Sequence, residues 1–179
     1  MADLYTHVVA GLIIAVILSW RYSWITPPMI AAAMVGAILP DLNRIDLVLP
    51  AATVELMTGL TWSWSVFHRA GGTILVILLL TMLVPRRHMK AVFLMLFIGA
   101  ASHYVLDYLL WKPGGMSGPL LWPFTDWRLT FDGFYRSSHR WPAVVSTIIA
   151  IGVLVVDRRS CAFRRPRRQQ RSIGGPHPR

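Results

Sequence analysis

Five stretches of this chain are apolar almost without interruption: Leu4–Trp20, Met29–Leu39, Val66–Val84, Ala91–Leu110 and Trp141–Val156. Hydrocarbon offers no water to backbone N–H and C=O groups, so such stretches must satisfy those groups internally, as helices do. The expected fold is therefore all-α, a multi-pass transmembrane helical bundle of about five membrane segments with short interfacial helices. The first stretch would be ~25 Å long against a hydrocarbon core of ~30 Å. The second is short for a full crossing. A charged fraction of 15% and a mean hydropathy of +0.52 exclude an ordinary soluble domain.

Punctuation between the stretches supports this reading. Trp20, Tyr22 and Trp24 mark one boundary, Trp62 and Trp64 another, and Trp111, Trp122, Trp127 and Trp141 a third, as in the aromatic belts at membrane surfaces. Thr26 is placed to cap a helix that opens on Pro27 and Pro28, where a missing N–H costs little. Pro50 is expected to open a short helix running through Met57. Residues 1–20 lack a basic leader region and a small-residue cleavage pattern, so the first segment is expected to be retained.

The basic residues suggest a direction of threading. With five alternating spans and the basic tail in the cytoplasm, 12 of the 18 Lys and Arg residues fall inside. This matches the positive-inside rule. The net charge of +10 lies mostly after Val156, so it reads as a topology signal and no specific nucleic-acid partner is expected. The domain division is a membrane-embedded unit, 1–157, followed by a disordered cytoplasmic tail, 158–179, able to meet anionic headgroups. The single cysteine, Cys161, rules out an intrachain disulfide framework and a thiolate zinc site.

Against this apolar background stand His7, Asp41, His68, His103 and Asp107, each near an end of its stretch. Under the alternating threading all five reach the outer face. Ionisable groups at membrane depth are expensive, and imidazole with carboxylate is a donor set for a divalent metal. His103 and Asp107 are four apart, on one helix face. Taken singly, each has an ordinary reading: a helix-end hydrogen bond for His103 and Asp107, a turn aspartate for Asp41, and a snorkelling pair for His68–Arg69. Together they favour a metal site with all five as candidate ligands, and with Asp41 or Asp107 as an alternative catalytic base. Arg69 and Arg128 are candidates to hold an anionic substrate oxygen. The Gly118–Arg128 segment, rich in Pro and Trp, is a candidate lid.

His7, Gly36-x3-Pro40-Asp41, His68-Arg69, His103-x3-Asp107 and Gly118…Trp122-Pro123-Phe124 occur in an order that resembles the YdjM-like inner-membrane metal-dependent hydrolases. The resemblance covers residues 1–157. It implies a cytoplasmic-membrane protein with a metal-dependent hydrolase site, of unsettled substrate. Two positions depart from the pattern. The family often has Pro-Asp-x-Asp, where this chain has Asn43. It also often has a second His soon after His-Arg-Gly, where this chain runs through Thr73.

The expected function is hydrolysis of an ester or phosphoester, with a lipid among the substrates considered, at the outer membrane face. Zinc is the expected metal, with manganese or magnesium as alternatives. Two other readings stand beside it: a transporter or ion-path protein, and a non-catalytic membrane protein retaining a structural His/Asp cluster. The fourth stretch carries no ionisable group between Ala91 and His103, so no relay continues across it.

Overall fold

A computed structural model describes residues 4–111, 125, 133–136 and 138–173, the last fifteen of these by backbone alone. Among the described residues the chain is all-helical. Its α-helices are α1 (Leu4–Arg21), α2 (Pro27–Gly36), α3 (Ala51–Thr58), α4 (Ala70–Met82), α5 (Arg86–Tyr108) and α6 (Trp141–Ile173). Two 3-10 segments, Leu39–Leu47 and Trp64–His68, flank α3. An isolated bridge joins Leu110 to Tyr135.

Among the described residues, three helices are long and apolar enough to cross a membrane: Leu4–Arg21, Arg86–Tyr108 and the Trp141–Arg158 part of α6. The other two apolar stretches form shorter helices of 10 and 13 residues, about 15 and 20 Å long. The five stretches are therefore present as helices, but only three have the length of a span. The second helix stops at Gly36 because the chain tightens into the 3-10 turn that holds Pro40 and Asp41. The third starts at Ala70, not Val66, because Arg69 takes an extended conformation (φ −109°, ψ 148°) between the second 3-10 segment and α4. α5 begins earlier than Ala91, directly after Pro85, since Arg, Met and Lys are good helix formers. The helix of α6 extends to Ile173, past the change of composition at residue 157.

α1, α2 and α5 form the centre. Ala15, Ile25, Met29, Ala33 and Met95 pack together, and a second group, Leu39, Ile77, Leu96 and Ala100, brings in α4. Small residues let the backbones meet: a Cβ on Gly36 would overlap the backbone of Leu96, and one on Gly99 the carbonyl of Ala33. α6 lies along α1, tied by Tyr5 Oη to Thr147 Oγ1 (2.9 Å) near one end and by Trp20 Nε1 donating to Asp157 Oδ1 (3.0 Å) at the other.

These contacts fix relative direction. Helices α1, α4 and α6 run one way and α2 and α5 the other: Ala15 groups with Met95 while His7 faces Asp107, Ile77 groups with Leu96 while Thr73 pairs with Tyr104, and Met29 groups with Met95 while the Ala37 carbonyl meets His103. The start of α1, the end of α2, the start of α4 and the end of α5 consequently share one end of the bundle. Arg21 and Arg86 belong to the opposite end.

Candidate metal centre

Each of His7, Asp41, His68, His103 and Asp107 arrives at that shared end from a different local device. His7 sits in the first turn of α1 and is fully buried. Asp41 is held by the 3-10 turn that Pro40 opens, and is buried as well. His68 ends the second 3-10 segment. That segment closes tightly on α4, where Gly72 leaves room for the Val66 carbonyl and Thr73 Oγ1 donates to the Phe67 carbonyl (2.8 Å). His103 and Asp107 come from successive turns of α5, and both are buried.

The five side chains meet. Asp107 Oδ1 lies 3.5 Å from His7 Nε2. Its other oxygen lies 3.2 Å from His68 Nε2 and 3.7 Å from His103 Nε2. His103 Nε2 is also 3.9 Å from Asp41 Oδ1. The rings of His7 and His103 stack with centroids 3.8 Å apart. Two triads, His7–His103–Asp107 and Asp41–His68–His103, each present donor atoms within 4.8 Å of one another and could hold a metal ion. His103 belongs to both.

The hydrogen bonds around the cluster orient it. His103 Nδ1 lies 2.8 Å from the Ala37 carbonyl, and His68 Nδ1 lies 3.0 Å from the Pro40 carbonyl. A carbonyl only accepts, so both Nδ1 atoms carry the proton. In the neutral ring the Nε2 lone pair then faces the carboxylates. Two acceptors facing each other repel unless a proton or a cation lies between them. His103 Nε2 and Asp41 Oδ1 are buried with no hydrogen-bond partner, and so are both ring nitrogens of His7.

Protons alone satisfy this set poorly. Charging both stacked imidazoles would place two like charges at van der Waals contact in a dry site. A divalent cation answers both problems, since three neutral imidazoles and two carboxylates supply two negative charges and inward lone pairs. Ligands about 2.0–2.1 Å from a zinc ion stand roughly 3.3 Å from one another. The Asp107 distances to His7, His68 and His103 bracket that spacing. The residues present fit the metal that the sequence pattern implies.

Of the two expected substrate arginines, Arg69 lies partly buried at the junction of the second 3-10 segment with α4, next to His68. Arg128 and the candidate lid Gly118–Arg128, apart from Thr125, lie outside the described residues. His139 and His88 are exposed and away from the cluster, His139 accepting from the Arg136 N–H and His88 from Arg87 Nε.

Two contributors escaped the sequence reading. Arg44 Nη2 meets Asp41 Oδ2 at 2.9 Å. Its i, i+3 spacing from Asp41 was the available signal. Thr73, which entered only as the place of a missing histidine, pairs with Tyr104 Oη (2.6 Å) and so braces the wall behind His68. Outer partners of this kind typically change metal affinity by ~10–100-fold when removed. Arg44→Ala should weaken zinc binding within that range in a competition titration with a chromogenic chelator; unchanged affinity would separate Arg44 from the site.

Tyr135 closes the cluster's flank. Its hydroxyl donates to the Leu106 carbonyl at 2.9 Å. Burial, helped by the charge of Asp107, pushes the phenol up to about 12, so it stays a donor throughout the physiological range.

A model of the family described as YdjM inner membrane protein matches residues 1–171. No curated protein and no solved structure matches the chain. The matched span takes in all five ligand candidates and nearly all of the helical bundle, and the chain belongs to the YdjM inner membrane protein family.

Proposed function

We propose that this protein is a membrane-embedded, metal-dependent hydrolase acting on an ester or phosphoester, with a lipid as the favoured class of substrate. The observation that carries the reading is the convergence of three imidazoles on two carboxylates, with the Nε2 atoms of His7 and His103 fully buried and without a hydrogen-bond partner. When bound, zinc would supply Lewis-acid polarisation of the scissile oxygen and acidify a water. His7, His103 and Asp107, one of the two triads, are assigned as its first ligands, and His68, which faces the same carboxylate, as the ligand that would close on the ion when it binds. Asp41 has one oxygen held by Arg44 and the other without a partner. That leaves Asp41 Oδ1 to take a proton from water or to complete the ligand set. Arg69 and Arg128 remain the proposed anchors for an anionic substrate oxygen.

The test uses purified protein. Elemental analysis should find about one zinc per chain, and chelation should remove hydrolysis of p-nitrophenyl esters or phosphoesters. Full hydrolysis by a metal-free His103→Ala/Asp107→Ala variant would sink the proposal. An ion path fits the structure less well. Away from the cluster, Thr81 Oγ1 is the buried polar atom of α4 and it donates to the Ile77 carbonyl one turn back.

The proposed placement has all five apolar helices in the membrane, α2 and α4 crossing short of the full thickness. The cluster lies at the outer end and the basic tail in the cytoplasm. The arginine bias supports it, as do Trp20 and Trp24 at one end of the bundle and Trp62 and Trp64 at the other. A membrane-impermeant maleimide applied to intact cells should leave Cys161 unlabelled. It should label a cysteine introduced as Ser63→Cys in a Cys161→Ser background. The reverse pattern would invert the topology and put the site inside.

A further inference from the structure

Beside the cluster, between α1, the end of α5 and α6, lies a cavity of ≈470 Å³. Ala10 and Ile14 line it from α1, Leu106 from α5, and Trp141 and Val145 from α6, with Tyr135 at one wall. Its size falls within the range of small-molecule sites. Two of its three hydroxyls already donate to backbone carbonyls, Tyr135 to Leu106 O and Ser146 to Ala143 O, and the rest of the wall, Thr6 apart, is apolar or aromatic. A cavity with such walls repels water and takes an apolar guest.

Position narrows the guest. The lining runs from Thr6 to Ile14 on α1 and from Trp141 to Ile149 on α6, about 12 Å along each helix. The lining therefore follows α1 and α6, which run side by side, over that length. Thr6 and Leu106, which line it, are the immediate chain neighbours of His7 and Asp107. One end of the cavity therefore adjoins the cluster, and the other points along helices fit for the membrane interior. On α6, Val144, Ile148 and Ile151 are exposed and apolar beside it, a surface suited to lipid.

We infer that this cavity holds one acyl chain of a membrane lipid, laid along α1 and α6 with the lipid's polar linkage beside His7 and Asp107. The inference rests on the hydrolase reading for the role of that linkage, and on the cavity alone for the chain. An apolar slot lined by the chain neighbours of His7 and Asp107 suits an amphiphile. A small water-soluble ester would leave the slot empty. The metal centre and the slot together select substrates by the distance between a reactive head and an apolar tail.

The experiment uses the full chain in nanodiscs containing a phosphatidylglycerol with a diazirine at the middle of one acyl chain. After irradiation, digestion and mass spectrometry, labels should concentrate on Ile13, Ile14, Val145 and Ile149. They should be several-fold above the exposed face of α4, represented by Leu75 and Leu79. Ala10→Phe and, from the other wall, Val145→Trp should each suppress the label on the remaining sites, with retained metal showing that the variant is folded. Labelling spread evenly over α4 and α6, unchanged by whichever of these variants folds, overturns the inference. Asp107→Asn separates the two readings, because it should retain groove labelling while losing metal. Groove labelling without hydrolysis of any lipid would leave the chain site standing and remove the hydrolase. Hydrolysis of short soluble esters with even labelling would do the opposite.

Discussion

Asp107→Asn should strip the protein of its metal while leaving the bundle folded. Asparagine keeps the shape of the side chain but replaces one carboxylate oxygen by an N–H₂ donor and removes the charge that His7, His68 and His103 face. Losing an outer partner costs ~10–100-fold in metal affinity. Losing the central carboxylate should exceed that, taking zinc from about one per chain to background after dialysis against a weak chelator. Hydrolysis should fall with it. The fold should persist because the Ala37 and Pro40 carbonyls still hold His103 and His68. Thermal unfolding of the variant should then match that of chelated wild type. A variant that retains zinc at wild-type affinity would show that Asp107 is not a ligand. Acid should act in the same direction on the wild type, since each imidazole must shed its proton before it can bind the ion.

Much of this site could be read before any coordinates, for a physical reason. A histidine or aspartate inside an apolar stretch is rare because it is costly, so His7, His103 and Asp107 stand out in one dimension. Alternating directions then carry them to one end, and the observed helix directions do the same. What the sequence conceals is made by packing across long separations. The carbonyls of Ala37 and Pro40 orient the imidazoles, yet every residue carries a carbonyl and none is marked for such a task. Thr73 looks like a loss in the chain and serves as a brace in the fold. Helix ends are hidden where composition does not change at the boundary. Gly36 to Leu39 is apolar throughout, so hydropathy cannot mark where the helix gives way to a 3-10 turn. The start of α3 is legible because Pro50 marks it, and the fold adds Asp46 Oδ1 as acceptor for the Ala51 N–H.

Gly99→Val should be the most damaging single change outside the cluster. A side chain there would drive its Cβ into the carbonyl of Ala33 and the amide of Ala37, which are backbone atoms and cannot swing aside. Gly36 faces the same constraint against Leu96, so the two glycines form one seam between α2 and α5. Ordinary overpacking costs ~1–3 kcal/mol because neighbouring side chains adjust. Here a whole helix must retreat, and the cost should approach the ~5–15 kcal/mol that holds a typical domain together. The expected result is loss of the monodisperse peak in detergent size-exclusion chromatography. Gly152→Val on α6 is the control, since a Cβ there meets nothing within 4 Å. It should leave thermal unfolding within a few degrees of wild type. A Gly99→Val protein that folds with little change would show that the seam is loose. Gly99→Ala brings in the same Cβ without the further branches of valine, and so links seam to site. Any retreat of α2 carries the Ala37 carbonyl and Asp41 away from His103, so this variant should lose zinc at temperatures where its helical signal is still intact.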